Sequence, residues 1–244
     1  MAGAMHFEQV AASYGSARPP YPEALWRDVM ATGLVVPGAR VLDLGAGTGQ
    51  ATGEFLARGL DAVAVEPGER LAAEPQRRFP GATVLRARAE DIRPAPASFD
   101  LVVAATSIHW MNLGVVLPMV HRSLAVRGRL LVWRNVFGDP DCEVTEFRHA
   151  VERIVERRGA RAERSDDAGT TAAQLAESAL FAIDAIHRYR WTAILTTEQV
   201  LALFGTFSDW SPDEVAEAAH AVSSLGGTVI EHYTSWLIEA SPVR

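Results

Sequence analysis

The sequence predicts an α/β protein with a doubly wound, mostly parallel seven-stranded sheet, helices on both faces and a helical lid. Between residues 39 and 134, short apolar runs alternate with helical stretches, a rhythm typical of βαβ units. The runs are apolar almost throughout, as expected for strands that helices cover on both faces. A glycine-rich turn follows the first run, where open α/β sheets usually bind a nucleotide-like ligand.

The predicted strands follow one another at regular spacing. Those of the first half are expected at residues 39–45, 61–66, 82–87, 99–105 and 128–134, and each is preceded by a turn that contains glycine or proline. Two further strands, at residues 182–195 and 228–240, are expected to form the last pair of the sheet.

After Arg134 the strand pattern gives way to helices. Residues 140–180 are predicted to be helical with a polar face, and two more helices are predicted to begin at Thr196 and Ser211. The letters "SPDE" at the second start combine a serine cap, a first-turn proline and two acids. We expect a single domain over residues 1–244, made of an N-terminal cover (1–36), a core (37–135), a helical insertion or lid (136–181) and C-terminal strands and helices (182–244).

The composition argues against several classes of function. A net charge of −7 disfavours a nucleic-acid partner, because that affinity comes mostly from a basic face that neutralises phosphates. All 23 basic residues are arginine, which excludes Walker-type phosphate loops and Schiff-base chemistry, since both need a lysine. No apolar run approaches the roughly 18 residues that span a bilayer, and residues 1–10 lack the pattern of a secretory signal. We therefore expect a cytoplasmic protein with no membrane partner.

The stretch "VLDLGAGTG" at residues 41–49 places glycines where the backbone must turn tightly and approach a ligand. Gln50 follows it, so the stretch does not match the dinucleotide fingerprint G-x-G-x-x-G. Asp43 precedes the first glycine by two residues. Its carboxylate would repel a pyrophosphate by about 4 kcal/mol per close charge at an effective dielectric constant near 20, and would attract an ammonium or sulfonium group.

Glu66 adds a second acid at the end of the second predicted strand. A carboxylate at this place in an open α/β sheet can accept hydrogen bonds from both hydroxyls of a ribose. A ribose, a positive charge and no phosphate together describe S-adenosylmethionine. The alternative is that Asp43 and Glu66 only cap the adjacent helices.

Segments spread over nearly the whole chain share a family resemblance. They are "FEQVAASYGSARPPYPEAL" at 7–25, "VLDLGAGTG" at 41–49, "AVEPGERL" at 64–71, "AEDI" at 89–92, "SFDLVVAATSIHW" at 98–110 and "GRLLVWRN" at 128–135. In this order they resemble the class I S-adenosylmethionine-dependent methyltransferases, in the small-molecule group similar to the trans-aconitate methyltransferases. The resemblance implies a Rossmann-like fold, S-adenosyl-L-methionine as the cofactor and a small-molecule methyl acceptor.

The resemblance also assigns cofactor contacts by position. It implies that Gly45, Ala46 and Gly47 lie under the methionine moiety, Asp43 on its ammonium side, Glu66 at the ribose, and Leu71, Ala89 and Glu90 near the adenine. Tyr14, Arg18 and Thr106 complete this set. For Arg18 there are two interpretations besides a cofactor contact: it binds an acidic substrate, or it lies in a solvent-facing turn. Arg88 departs from the family, because relatives often carry an aspartate there; its alternative is an exposed loop residue.

His109 and Trp110 follow the fourth strand, at the mouth where the methyl group is expected to point. Methyl transfer is an in-line displacement, so the protein mainly supplies alignment and needs a base only if the acceptor must lose a proton. We expect His109 to be the catalytic residue, either as a base or as a side chain that shapes the pocket, with Trp110 and Tyr21 on the substrate side. The histidines show no metal-binding spacing such as H-E-x-x-H.

The predicted function is methyl transfer from S-adenosylmethionine to a small molecule, either a carboxylic acid or a secondary metabolite. The alternative is an enzyme that binds S-adenosylmethionine but catalyses a non-methylating cyclisation or rearrangement. A non-catalytic binding subunit is disfavoured, because Asp43, Glu66 and the glycine loop are intact.

Overall fold

The computed structural model describes residue 15 and residues 17–158 and 167–244. Its strands are β1 (Arg40–Leu44), β2 (Asp61–Val65), β3 (Thr83–Leu85), β4 (Phe99–Ala105), β5 (Leu124–Phe137), β6 (Phe181–Thr196) and β7 (Thr228–Pro242). The longer helices are α1 (Glu23–Ala31), α2 (Gln50–Ala57), α3 (Glu69–Arg78), α4 (Leu113–Ser123), α5 (Glu146–Glu156), α6 (Ala168–Glu177), α7 (Thr197–Gly205) and α8 (Pro212–Ser224).

The seven strands form one sheet in the order β3-β2-β1-β4-β5-β7-β6. The pairs β1–β2, β2–β3, β1–β4 and β4–β5 are all parallel. The chain leaves β1 in one direction through β2 and β3, then returns to place β4 on the other side of β1. The carboxyl ends of β1 and β4 therefore flank the crevice where such sheets bind ligands. The predicted doubly wound, Rossmann-like fold is confirmed.

All seven predicted strands are present, and β5 shows the largest difference in its ends. The turn predicted at "VRG", before the fifth strand, lies inside β5, which already begins at Leu124. Phe99 pairs with Leu124 and Leu101 with Arg129, so the register between β4 and β5 shifts at this point. An irregularity of this kind accommodates extra residues within a strand without ending it.

The two predicted helix starts in the second half are confirmed. Thr196 caps α7 and accepts a hydrogen bond from the backbone of Gln199, whose side chain bonds back to the cap. Ser211 forms the same reciprocal arrangement with Glu214 at the start of α8, and Pro212 occupies the first turn. Each capping box satisfies backbone donors that the first helical turn leaves open.

The described residues form two compact units. The first, here the sheet unit, comprises residues 21–135, 167–189 and 235–244; the second, here the helical unit, comprises residues 15, 17–20, 136–158 and 190–234. Within the predicted cover at residues 1–36, the described residues up to Pro20 belong to the helical unit, and those from Tyr21 onwards belong to the sheet unit. The predicted lid stays a prediction. In the described part of the chain, no helix has both the length and the apolar character that a membrane span requires.

The core of the sheet unit is built around Trp133 of β5, which is fully buried. The rings of Tyr21, Trp26 and Phe55 surround it, with centroids 5.8, 5.7 and 6.4 Å from the Trp133 ring. Leu25 and Val29 of α1 join the same cluster, together with residues of β1 and β4. Helix α1 belongs to the sheet unit for this reason, because its apolar face is part of that core.

The helical unit has its own core and a buried ion pair. Phe147 and Val151 of α5 pack with Phe204 of α7 and with residues of α8 and β7. Beside them, Arg148 bonds to Glu231, whose side chain is only 2% exposed, against 20% for Arg148. Burial raises the pKa of Glu231, and the nearby charge of Arg148 opposes that shift. The carboxylate therefore depends on Arg148 for compensation of its charge.

We expect Arg148→Met to lower the free energy of unfolding at pH 7.5 by about 3–5 kcal/mol, because the buried carboxylate of Glu231 loses the cationic partner that compensates its charge. Urea denaturation measures the change. The exposed Arg153→Met on the same helix is the matched control, with an expected change within about 0.5 kcal/mol. The Arg148→Met deficit should shrink at acid pH, because a protonated Glu231 needs no cation. A deficit equal to that of the control would contradict this account.

Candidate functional site

The loop between β1 and α2 is held in a left-handed backbone that its glycines permit. Gly45 has φ +69°, and a Cβ there would lie 2.6 Å from the Ser107 Cβ. The N–H groups of Gly45 and Ala46 donate to the carbonyl of Val65, at 2.8 and 3.0 Å. Gly47 has φ +57°, and a Cβ built on it would meet nothing within 4 Å. The loop is therefore fixed at Gly45 and faces open space at Gly47.

Asp43 is a fully buried carboxyl group at the carboxyl end of β1. Its Oδ2 accepts a hydrogen bond from the Thr52 hydroxyl at 2.6 Å. Its Oδ1 is buried and has no hydrogen-bond partner among the described residues. Burial raises the pKa of Asp43 from 3.8 to about 6, the Thr52 hydrogen bond opposes the shift, and the charge of Glu66 adds to it. The carboxyl group of Asp43 can therefore accept a further hydrogen bond at Oδ1 or pair with a positive charge.

Glu66 follows β2 and joins the two loops that border the crevice. Its carboxylate accepts the N–H of Gly47 at 2.9 Å and the N–H of Gly68 at 2.9 Å. The side chain is 6% exposed. A carboxylate oxygen can accept more than one hydrogen bond, so these backbone bonds orient Glu66 and still permit a bond to a ligand hydroxyl.

The residues assigned to the adenine lie beyond β2 and β3. Leu71 of α3 and Ala89 are buried. Glu90 accepts the N–H of Asn112 at 2.9 Å and pairs with Arg88 at 3.2 Å. Partial burial of Glu90 opposes its ionisation, but the bonds from Asn112 and Arg88 lower its pKa overall. The Arg88 side chain is 64% exposed, as its alternative interpretation expected.

The segment after β4 is tied to β1 and to the core. Thr106 has φ +60°, which is uncommon for a β-branched residue. Its N–H donates to the Trp133 carbonyl at 2.7 Å, and its hydroxyl lies 3.0 Å from the Tyr21 hydroxyl. Ser107 donates to the Leu44 carbonyl at 2.5 Å. The mouth of β4 is thus held at the end of β1.

His109 lies in a short 3-10 turn, Ile108–Trp110, at this mouth. Its ring centroid is 4.9 Å from that of Trp110, and both side chains are exposed. The Arg134 guanidinium donates to its Nδ1 at 3.2 Å. Sequence reasoning missed Arg134, although its place at the end of the fifth predicted strand in "GRLLVWRN" puts it beside the same crevice. It also missed Ser107 and Thr52, which hold the loop and Asp43.

The remaining predicted residues have different surroundings. Tyr21 lies in the core of the sheet unit, where its hydroxyl reaches Thr106. Arg18 belongs to the helical unit, donates to the Thr206 carbonyl at 3.3 Å and lies 4.7 Å from the centre of the Phe207 ring. Tyr14 lies outside the described residues. No group of His, Cys, Asp and Glu side chains in the described ranges is arranged to hold a metal ion.

Parts of the chain are similar to known proteins. The family described as "Methyltransferase domain" matches residues 42–132. An uncharacterised methyltransferase of Mycobacterium bovis is 37% identical over 134 residues, which cover 54% of this chain and 53% of the relative. A trans-aconitate 2-methyltransferase of Methylobacterium nodulans is 33% identical over 108 residues, 43% of this chain and 42% of the relative. The chain thus spans about half the length of the curated relatives it matches.

A solved structure extends the similarity beyond that domain. A proposed type II methyltransferase from Anaeromyxobacter dehalogenans superposes with a TM-score of 0.64 at 25% identity, covering 92% of this chain and 97% of that one. Residues 42–132 of this chain, which include the glycine loop and the turn after β4, match the methyltransferase domain family.

Proposed function

We propose that this chain transfers a methyl group from S-adenosylmethionine to a small-molecule acceptor that carries a carboxylate. The buried Asp43, with one oxygen that lacks a partner among the described residues, supports the cofactor part most directly. The Arg134–His109 pair at the mouth of β4 supports the acceptor part.

The residues at the crevice fit S-adenosylmethionine. The Oδ1 of Asp43 needs a donor, and the ammonium of the methionine moiety would supply one together with a compensating charge. Gly47 faces space in which a Cβ would meet no neighbour, so the methionine moiety can approach the backbone there. Both observations concern this loop alone and are independent of the family resemblance.

The rest of the cofactor would lie along the ends of β2 and β3. Glu66, already oriented by Gly47 and Gly68, would accept the ribose hydroxyls. Leu71 and Ala89 offer apolar contact for the adenine, and Glu90 lies at its polar edge. Thr106, at the end of β4, belongs to the same proposal.

When bound, S-adenosylmethionine supplies an electrophilic methyl group on a sulfonium whose departure needs no acid. The chain must then hold the acceptor in line and keep its nucleophilic oxygen close to that carbon. Arg134 and His109 would attract and orient a carboxylate, since a guanidinium and an imidazole N–H both donate hydrogen bonds. A carboxylate is ionised at neutral pH, so no residue has to remove a proton from it.

Binding of S-adenosylhomocysteine should weaken about tenfold per pH unit below pH 6, because the pKa of Asp43 near 6 means that a proton must leave before the ammonium can pair with it. Isothermal calorimetry between pH 5 and 8 measures the profile. Asp43→Asn should flatten it and should weaken binding at pH 7.5 by about 1.5–3 kcal/mol. The exposed Asp61→Asn, on the neighbouring strand, is the matched control.

The same substitution should stabilise the free protein. The folded-state pKa of Asp43 lies above its ordinary value of 3.8, so stability falls as pH rises from about 4 to about 6 and then stays level. Asp43→Asn removes this penalty, so it should raise the free energy of unfolding by at most about 3 kcal/mol at pH 7.5 and leave it unchanged near pH 4. A variant that is less stable and still binds normally would remove Asp43 from the cofactor site.

Glu66→Gln should weaken S-adenosylhomocysteine binding by about 1.5–3 kcal/mol, because a charged hydrogen-bond acceptor is lost. The 2′-deoxy analogue separates a ribose contact from a purely structural role. If Glu66 binds the ribose, the substitution should affect the analogue much less than the parent ligand. Equal losses for both would assign Glu66 to the loop alone. Glu69→Gln, which is exposed, is the control, and NAD should not bind to the wild type, because Asp43 repels its pyrophosphate.

Methyl-labelled S-adenosylmethionine, offered with a panel of small carboxylic acids and with matched alcohols and amines, tests the acceptor. We expect label only in products of the acids, as methyl esters that mild alkali hydrolyses. Alkali-stable label in an amine or alcohol product would overturn the carboxylate assignment and leave methyl transfer standing. Binding without transfer to any fraction of a metabolite extract would favour the non-methylating alternative.

A further inference from the structure

Arg134 and His109 meet because β4 ends beside the middle of β5. Ala105, the last residue of β4, pairs with Trp133 of β5, so Arg134 is the next residue on β5 and the turn that carries His109 follows β4. The Nη1 of Arg134 lies 3.2 Å from the Nδ1 of His109. Arg134 is half-buried, whereas His109 is exposed at the mouth.

The direction of this hydrogen bond follows from the chemistry of its two partners. A guanidinium has five N–H donors, no acceptor and a charge that persists at any physiological pH. The Nδ1 of His109 must therefore accept with its lone pair. A neutral imidazole carries a single N–H, so the proton lies on Nε2 when Nδ1 accepts. A proton on Nδ1 would face the donors of Arg134 and is disfavoured.

We propose that Arg134 is a positioning residue, which fixes the proton of His109 on Nε2 and so makes His109 a hydrogen-bond donor to the methyl acceptor. This inference rests on the proposed function for the identity of the acceptor. With its Nε2 already protonated, His109 presents no lone pair to an incoming O–H or N–H. The pair therefore favours acceptors that arrive ionised and offers nothing to those that require a general base at this position.

The structure contains an internal reference for this tautomer. The Nε2 of His121 on α4 lies 2.7 Å from the Val243 carbonyl, which can only accept, so Nε2 must donate. His121 belongs to the sheet unit, as His109 and Arg134 do. Its ring nitrogens should show the pattern that we infer for His109, and substitution of Arg134 should leave that pattern unchanged.

The test is long-range proton–nitrogen correlation NMR at pH 8 on the full chain with nitrogen-15-labelled histidine, with His109 assigned through His109→Gln. At this pH an ordinary histidine is neutral. We expect His109 in the wild type to match His121, with a pyrrole-like Nε2 and a pyridine-like Nδ1. In Arg134→Met both His109 nitrogen shifts should move towards their mean, as the tautomers mix. Arg134→Lys, which keeps a positive charge and donors without an acceptor, should retain the wild-type pattern.

A proton on Nδ1 in the wild type, or a His109 pattern that Arg134→Met leaves unchanged, would overturn the inference. Unchanged His121 signals verify that each variant is folded. If Arg134→Met does not fold, Arg134→Ala takes its place. None of these measurements needs an acceptor, so a failure of the proposed function does not obscure them. With an active acceptor, Arg134→Met should lower turnover at least tenfold and leave S-adenosylhomocysteine affinity within twofold, and His109→Gln should recover most of the rate lost in His109→Ala.

Discussion

The proposed cofactor site depends on a carboxyl group buried at the end of the central strand. Asp43 lies in β1, between β2 and β4, and is entirely removed from solvent. Burying such a group costs free energy unless its charge is compensated, and the Thr52 hydroxyl satisfies only one of its oxygens. The raised pKa of Asp43 records the remaining cost. A cationic ligand that supplies the missing partner regains that free energy on binding, which is why the residue is suited to hold an ammonium and unsuited to hold a phosphate.

Glu66 links this constraint to the loop geometry. Its backbone bonds to Gly47 and Gly68 hold the two loops at a fixed separation, and its negative charge further raises the pKa of Asp43. Ser107 fills the space that a side chain at position 45 would need, and it ties β4 to the Leu44 carbonyl. Contacts with three strands therefore hold the loop, so its conformation does not depend on a ligand. Little ordering entropy remains to be lost when the cofactor binds.

The sequence predicted those features whose causes are local. Apolar runs, turn residues and caps specified every strand and the starts of α7 and α8, because each signal lies within a few residues of its effect. The start of β5 was not predictable from its "VRG" turn, since pairing with β4 absorbs those residues as a register shift. Arg134 was not predicted as a site residue for the same reason, because its contact with His109 depends on the register of two strands and not on any spacing along the chain. The division of residues 1–36 also follows from tertiary packing, because Leu25, Trp26 and Val29 join the core around Trp133.

The two sides of the site differ in how strongly the fold constrains them. The proposed cofactor side consists of backbone groups and of two buried carboxylates at the ends of the central strands. The proposed acceptor side consists of two exposed side chains on a short turn, His109 and Trp110, and of Arg134, which contacts His109. Substitutions at exposed positions usually change stability by less than about 0.5 kcal/mol. Under the proposed function, a few substitutions in the turn after β4 can therefore change the preferred acceptor while Asp43, Glu66 and the glycine loop stay intact. This difference explains why the glycine loop and Asp43 predict the cofactor, whereas the acceptor has to be inferred from the hydrogen-bond donors of Arg134 and His109.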